Sequence, residues 1–367
     1  MKTFKIIVGI FAALALLWLA GAWFCNTPYI LVSYPELQTV GYPEGSELVW
    51  RSEGNGKSRS GVWGGAAVPD IRTHLEPKII LWGDSFVEAL QVDDDKKTAQ
   101  QTTRLLSEKG RTNLLAVGAG VAGQSAADYL LRIPVYEKQL GPVIAHVVVV
   151  GQMEDLFPDQ ASARFSKFVS KPELSIIPAA PRNPSQAKQL IYRWGVKLHA
   201  NGLLSVLRNS ADGFNLRFKM GPVAKHRKEA QTTPSTSELD EWFRFLACRF
   251  RQATDKPLVL VYAPTVPRLE GNCWSLEDSD AETAARMETV FSENGWIVIN
   301  MQKQFVRQSN TTGLSPRGFS NTRPGSGHLN EKGHRLVAET LAEYFVSSGM
   351  GASVPAPDTR HPTPENQ

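Results

Sequence analysis

Cysteine is scarce in this chain of 367 residues: only Cys25, Cys248 and Cys273 occur, so at most one internal bridge can form. Cys248 sits in a helical pattern and Cys273 in a loop 25 residues later. In an oxidising compartment those two can pair, and two buried free thiols are the favoured reading. Histidine is also scarce, with seven residues, and none has metal-ligand spacing. His328 and His334 are six apart and straddle a helix start, so they do not face one ion. Neither sign of charge is in strong excess: 40 Lys and Arg against 36 Asp and Glu give a net charge of +4, short of a nucleic-acid binder's usual imbalance. No internal repeat is present. What remains is a globular protein, 42% hydrophobic and 21% charged, long enough for one large domain or two of ordinary size.

One long apolar run is present. Ile6 to Phe24 contains nineteen unbroken apolar residues preceded by Lys2 and Lys5. As a helix it spans a hydrocarbon core, and the leading lysines favour a cytoplasmic N-terminus. Ala20-Gly21-Ala22 offers a signal-peptidase site, but the run exceeds most signal-peptide cores, so residues 1–25 are expected to be an uncleaved single-pass anchor. Trp23 and Phe24 are too bulky for a lipid-attachment box at Cys25. Either way, the rest of the chain is expected outside the cytoplasmic membrane, on the periplasmic side in a Gram-negative cell.

Residues 26–76 turn to Gly, Pro, Ser and charge, which predicts a juxtamembrane linker with short strands that packs in part against the main domain. A regular alternation follows. Strands are predicted at Lys78–Trp82, Asn113–Val117, Ala145–Val150, Pro257–Tyr262 and Trp296–Asn300. Helices are predicted at about Thr98–Lys109, Ser125–Tyr136, Glu238–Gln252, Ala281–Asn294 and Glu331–Ser347. Ser235 with Glu238 has capping-box spacing, and Asn330 is a candidate N-cap. Apolar strands alternating with helices imply βαβ units and a parallel sheet covered on both faces, a three-layer α/β domain over residues 77–350.

The alternation breaks at about 156–233, a strongly basic insertion. Within it, Gln186–Arg208 patterns as a basic amphipathic helix. It is read as packed on the core, with a lid, a lipid contact or a grip on an acidic polymer as alternatives. The Pro-rich tail, 351–367, is expected to be disordered.

Four pieces carry the candidate chemistry. Gly83-Asp84-Ser85-Phe86 follows the first strand. Gly118-Ala119-Gly120-Val121-Ala122-Gly123 follows the second, and Gly151-Gln152-Met153-Glu154-Asp155 the third. Gly325-Ser326-Gly327-His328-Leu329-Asn330 leads into the last helix. In a parallel sheet all four gather at one edge. The glycine turn matches the letters of a dinucleotide fingerprint, but it lacks an acidic residue on a following strand. Acyl chemistry fits better. A serine needs a base and donors for the oxyanion of a tetrahedral intermediate. His328 supplies the base, and the Ser85 and Gly123 N–H groups supply donors. Asp84 is expected to cap the turn after the strand and brace it.

These four pieces, in this order, resemble the SGNH (GDSL-type) hydrolase superfamily from about Lys78 to Phe345. The resemblance implies a flavodoxin-like, five-stranded αβα fold, with Ser85 as nucleophile, His328 as base, and Gly123 in the oxyanion hole. His334 is implied to be structural. Two positions depart from the family pattern. Its third block supplies an asparagine donor, where this chain has Glu154 beside Asp155, and Gln152 is the available amide. The acid expected three residues before His328 is Gly325, leaving a backbone carbonyl, Asn321 or Glu331 to orient the imidazole.

The expected activity is O-acyl ester hydrolysis through a serine acyl-enzyme, without a cofactor. The expected partners are an acyl ester, with a carbohydrate as one carrier, and the membrane, but no nucleic acid. Acetyl transfer to an envelope polysaccharide and a non-catalytic binding role are the alternatives.

Overall fold

The computed structural model describes residues 2–24, 26, 31–65, 76–157, 167–169, 175–177, 185, 187, 190, 236–270, 273–322 and 325–350. Five parallel strands form the central sheet: β5 (Lys78–Trp82), β6 (Leu115–Gly118), β7 (Val143–Val150), β10 (Leu258–Tyr262) and β13 (Ile297–Asn300). Their spatial order is β13-β10-β7-β5-β6. The sheet is thus wound outward in two directions from β5, and the crevice at that switch point lies beyond the C-terminal ends of β5 and β7.

Helices cover both faces. Ile80 and Trp82 of β5 point into a core shared with α4 (Ala126–Gln139), α5 (Thr236–Ala253) and α6 (Ala281–Glu293). Ile79 and Leu81 point the other way, into a core with α3 (Thr98–Glu108), α7 (Gln302–Thr312) and α8 (Glu331–Ser347). Burial on both faces explains why β5 and β10 read as continuous apolar runs rather than as alternating ones. The expected three-layer architecture is therefore present, and α7 is an element that the sequence pattern did not reveal.

Residues 31–65 are built into this domain. They form two antiparallel hairpins, β1 (Val32–Tyr34) with β2 (Thr39–Gly41), and β3 (Glu47–Val49) with β4 (Lys57–Arg59). Leu37 is buried in the same core as Trp82 and Tyr129. The buried Arg132 donates from Nη1 to Thr39 Oγ1 at 2.8 Å. Lys57 N and Arg59 N donate to Asp93 and Asp94, each at 2.9 Å. A stretch expected to be a linker thus reaches the crevice, with consequences for the site.

The N-terminal helix α1 (Lys2–Phe24) exposes Phe4, Ile6, Ile10, Phe11, Leu16 and Trp18. Among the described residues no helix is long and apolar enough to cross a membrane; the side chains at 2, 3, 17 and 20–24 fall outside them. The described part of the basic insertion includes two short antiparallel strands, β8 (Lys167–Val169) and β9 (Ser175–Ile177). The amphipathic pattern at Gln186–Arg208 and the tail at 351–367 lie outside the described residues. Cys248 is a free thiol, which corrects the option of a bridge to Cys273, and it is exposed rather than buried as expected. Two further short strands, β11 (Arg268–Glu270) and β12 (Cys273–Ser275), pair as a hairpin after β10.

Candidate active site

At the C-terminal end of β5 the chain turns through Gly83 and Asp84 into the short helix α2 (Ser85–Glu88). Only glycine fits at 83, because a Cβ there would lie 2.3 Å from Val87. Asp84 caps this helix, accepting the Phe86 N–H at 3.0 Å. Its other oxygen lies 2.9 Å from Ser85 Oγ.

Ser85 Oγ is also 2.8 Å from His328 Nε2. A hydroxyl has one proton, so it donates either to Asp84 or to the imidazole. The imidazole is held in turn by a residue that sequence reasoning missed. Glu53, on the loop between β3 and β4, places Oε2 2.5 Å from His328 Nδ1 and accepts the His328 backbone N–H on Oε1 at 2.7 Å. Burial pushes the Glu53 carboxyl up, but hydrogen bonds and charge from His328, with help from Arg317, outweigh it and hold it below its ordinary value. An ionised Glu53 therefore faces Nδ1.

This corrects the expectation that a backbone carbonyl, Asn321 or Glu331 orients His328. Asn321 instead buttresses the acid's loop. Its Oδ1 accepts the Gly54 N–H at 2.8 Å, and its Nδ2 donates to Arg51 O at 2.9 Å. Glu331 is the exposed first residue of α8. Gly325 has no side chain to offer and packs against Pro267 and Arg268. His334 is fully buried, with Nδ1 2.8 Å from Thr98 Oγ1, and burial lowers it to about 3. It stays neutral there, joining α8 to α3.

The glycine turn after β6 lies against α2. A Cβ at Gly120 would come within 2.7 Å of Asp84 O, and Gly123 has a φ of 88° that favours glycine. Among the described residues nothing accepts the Ser85 or the Gly123 N–H, so both are available as oxyanion donors. In the third block, Gly151 packs on the Phe86 ring, where a Cβ would lie 2.3 Å away. The Gln152 side chain is exposed, and Asp155 closes a turn onto Gln152 O at 3.2 Å. Glu154 belongs to that turn, but its side chain is outside the described residues.

A second missed residue ties the edge together. The Arg317 guanidinium is buried 4.7 Å over the Phe86 ring, and Phe86 also lies against the His328 ring. It donates to Gly327 O at 2.8 Å, to Gly151 O at 2.9 Å, and to Ala263 O. One planar fork therefore joins the loops after β7 and β10 to the histidine loop, a geometry that a lysine cannot copy. Burial brings its pKa down to about 10, so it remains charged.

Glu88, at the end of α2, is buried and bonded to Tyr42 Oη at 2.5 Å and to the Ala122 N–H beside Gly123. Burial pushes it up to about 7. Tyr42, Ala122 and Lys97 oppose that shift, and Asp84 adds to it. A carboxyl raised in the fold holds its proton longer there than in the unfolded chain. Its contribution is therefore full below about pH 4.5 and declines as pH rises towards 7. A rise of that size corresponds to about 3 kcal/mol. Glu88→Gln, which cannot ionise, is expected to flatten this decline. Urea unfolding of both proteins at pH 5.5 and pH 8 measures it, and an unchanged slope would count against the assignment.

No family model matches the sequence, and no curated protein does. Solved structures that resemble it include an acetyl xylan esterase, AlAXEase, at 15% identity, covering 73% of this chain and 98% of that one with a TM-score of 0.39. A lipase/acylhydrolase from Enterococcus faecalis matches at 12% identity over 74% and 96%, with a TM-score of 0.38. A member of the lipolytic G-D-S-L family from Veillonella parvula matches at 12% over 73% and 98%, with a TM-score of 0.36.

Proposed function

We propose that this chain is a serine esterase of the SGNH type that hydrolyses O-acyl esters, with its catalytic domain held outside the cytoplasmic membrane by α1. The observation that carries the reading is the unbroken relay from Ser85 Oγ through His328 to the Glu53 carboxylate, at 2.8 and 2.5 Å. Those contacts fall within reach for proton transfer, and His328 and Glu53 retain 22% and 17% side-chain exposure, so a substrate can enter. The non-catalytic alternative drew on both departures, in the third block and before His328, and Glu53 answers the second of them with a carboxylate at His328 Nδ1. For the anchor, the support is the leading Lys2 and Lys5 and the exposed apolar side chains of α1.

In this mechanism Ser85 Oγ bonds to the ester carbonyl carbon as its proton passes to His328 Nε2. The carbonyl oxygen becomes an oxyanion, which the Ser85 and Gly123 N–H groups receive. Glu53 accepts the Nδ1–H and stabilises the imidazolium. Collapse of the intermediate breaks the ester C–O bond, and the leaving alcohol takes the Nε2 proton. Water then attacks the acyl-enzyme by the same route, returning the proton to Ser85. The test is covalent labelling with a fluorophosphonate. One label is expected, on the Ser85 peptide, and absent from Ser85→Ala. A folded protein that takes no label would sink the proposal.

A further inference from the structure

Asn26 is two residues beyond the last residue of α1, so its backbone lies within about 7 Å of the helix end. It is not a free spacer. Its Oδ1 accepts the backbone N–H groups of Arg51 at 2.5 Å and Ser52 at 3.1 Å, and its Nδ2 donates to Ser52 Oγ at 3.2 Å. The next residue is Glu53, the carboxylate on His328. The residue two beyond the end of the apolar helix is thus bonded to the loop that carries the relay's acid. A polar headgroup layer is roughly 5–7 Å deep on each side of a bilayer, comparable with the whole distance from helix end to Asn26.

A second observation concerns the other flank of the histidine loop. Glu53 lies against Gly327, and Trp274 of β12 lies against Gly325, where a Cβ would be 3.2 Å from its ring. Trp274 is 40% exposed and Leu276 42%. A half-exposed indole with a neighbouring leucine suits the boundary between headgroups and acyl chains.

From these contacts we infer that the site opens at headgroup depth and takes its ester from the bilayer in which the chain is anchored. The substrate class is then a membrane-resident acyl ester, rather than a soluble ester or a polymer held away from the surface. This rests on the ester-hydrolase reading of Ser85 and on α1 as an anchor. Water is the only co-reactant: the ester C–O bond breaks, and a carboxylic acid and a lipid alcohol result.

The experiment uses the full chain in phosphatidylcholine–phosphatidylglycerol vesicles. It is paired with a variant carrying about 30 Gly and Ser residues between Cys25 and Asn26, a flexible spacer of roughly 30 Å that leaves every Asn26 bond in place. The probes are p-nitrophenyl acetate in solution and a phosphatidylglycerol with a fluorogenic acyl ester in the vesicles. Both proteins are expected to turn over the soluble ester equally. The unspaced chain is expected to hydrolyse the bilayer ester at least about ten-fold faster than the spaced one, because the spacer dilutes the site away from the surface. Equal bilayer rates would overturn the inference. So would soluble turnover with no bilayer turnover, or a chain that fails to float with the vesicles. Absence of Ser85-dependent hydrolysis of either probe would instead bring down the hydrolase reading itself.

Discussion

Glu53→Gln is expected to lower kcat/KM for any accepted ester by about 10³–10⁴-fold, or roughly 4–5 kcal/mol of transition-state stabilisation, with the protein still folded. The reason lies in how the carboxylate is used. Both oxygens accept: Oε1 from the His328 backbone N–H at 2.7 Å, and Oε2 at Nδ1, 2.5 Å away. A glutamine has one acceptor oxygen and one NH₂ group. The backbone N–H is always a donor, so the amide oxygen turns to it and the NH₂ faces Nδ1. That arrangement requires Nδ1 to be unprotonated and moves the ring proton to Nε2. An Nε2–H cannot accept the Ser85 proton. The loop should stay in place, because Asn321 and Asn26 hold it through neighbouring backbone groups rather than through the Glu53 side chain. Steady-state kinetics beside a thermal melt checks both halves. The fluorophosphonate labelling rate should fall in parallel, because it uses the same base. A loss under about ten-fold in a well-folded variant would mean that Glu53 only props the histidine loop.

The contrast between Glu53 and the rest of the site explains what was legible in the sequence. The sheet was readable because parallel strands buried on both faces leave unbroken apolar runs, as in Ile79-Ile80-Leu81-Trp82. Ser85 and His328 were readable because each sits in a short glycine-bearing motif next to a regular element. Glu53 has neither advantage. It lies 275 residues from its partner, on a turn in a Gly-, Ser- and charge-rich stretch that resembles linker. The one available signal is negative: Gly325 leaves no acid three residues before His328, and nothing in the sequence says which distant carboxylate takes its place. Arg317 is a loop residue whose partners are backbone carbonyls, which carry no sequence signature at all. Helix α7 was missed for a simpler reason. Gln302–Thr312 is almost wholly polar apart from Phe305 and Val306, so it has little apolar periodicity to detect.

Ser85→Ala is expected to have the largest effect, about 10⁵–10⁶-fold in kcat. His328→Ala should fall to a similar floor, and the double variant no further. Without the hydroxyl, the imidazole has no proton to take. Without the imidazole, the hydroxyl keeps its proton at neutral pH and attacks poorly. The two therefore fail as one unit. The floor itself is informative because alanine at 85 keeps the backbone N–H. Any rate that Ser85→Ala retains over uncatalysed hydrolysis comes from binding and from the two unengaged donors, at 85 and 123. Each donor is worth about 10²–10³-fold where it meets a developing oxyanion. The third block bears on that floor, since the exposed Gln152 is the amide side chain available there as a further donor. Adding Gln152→Ala to Ser85→Ala separates the cases. A further drop of about 10²-fold would mean that Gln152 turns inward when substrate binds. An unchanged floor would leave the two N–H groups as the whole hole. Additive losses for Ser85→Ala and His328→Ala would show that the 2.8 Å contact between them is not the route of the proton.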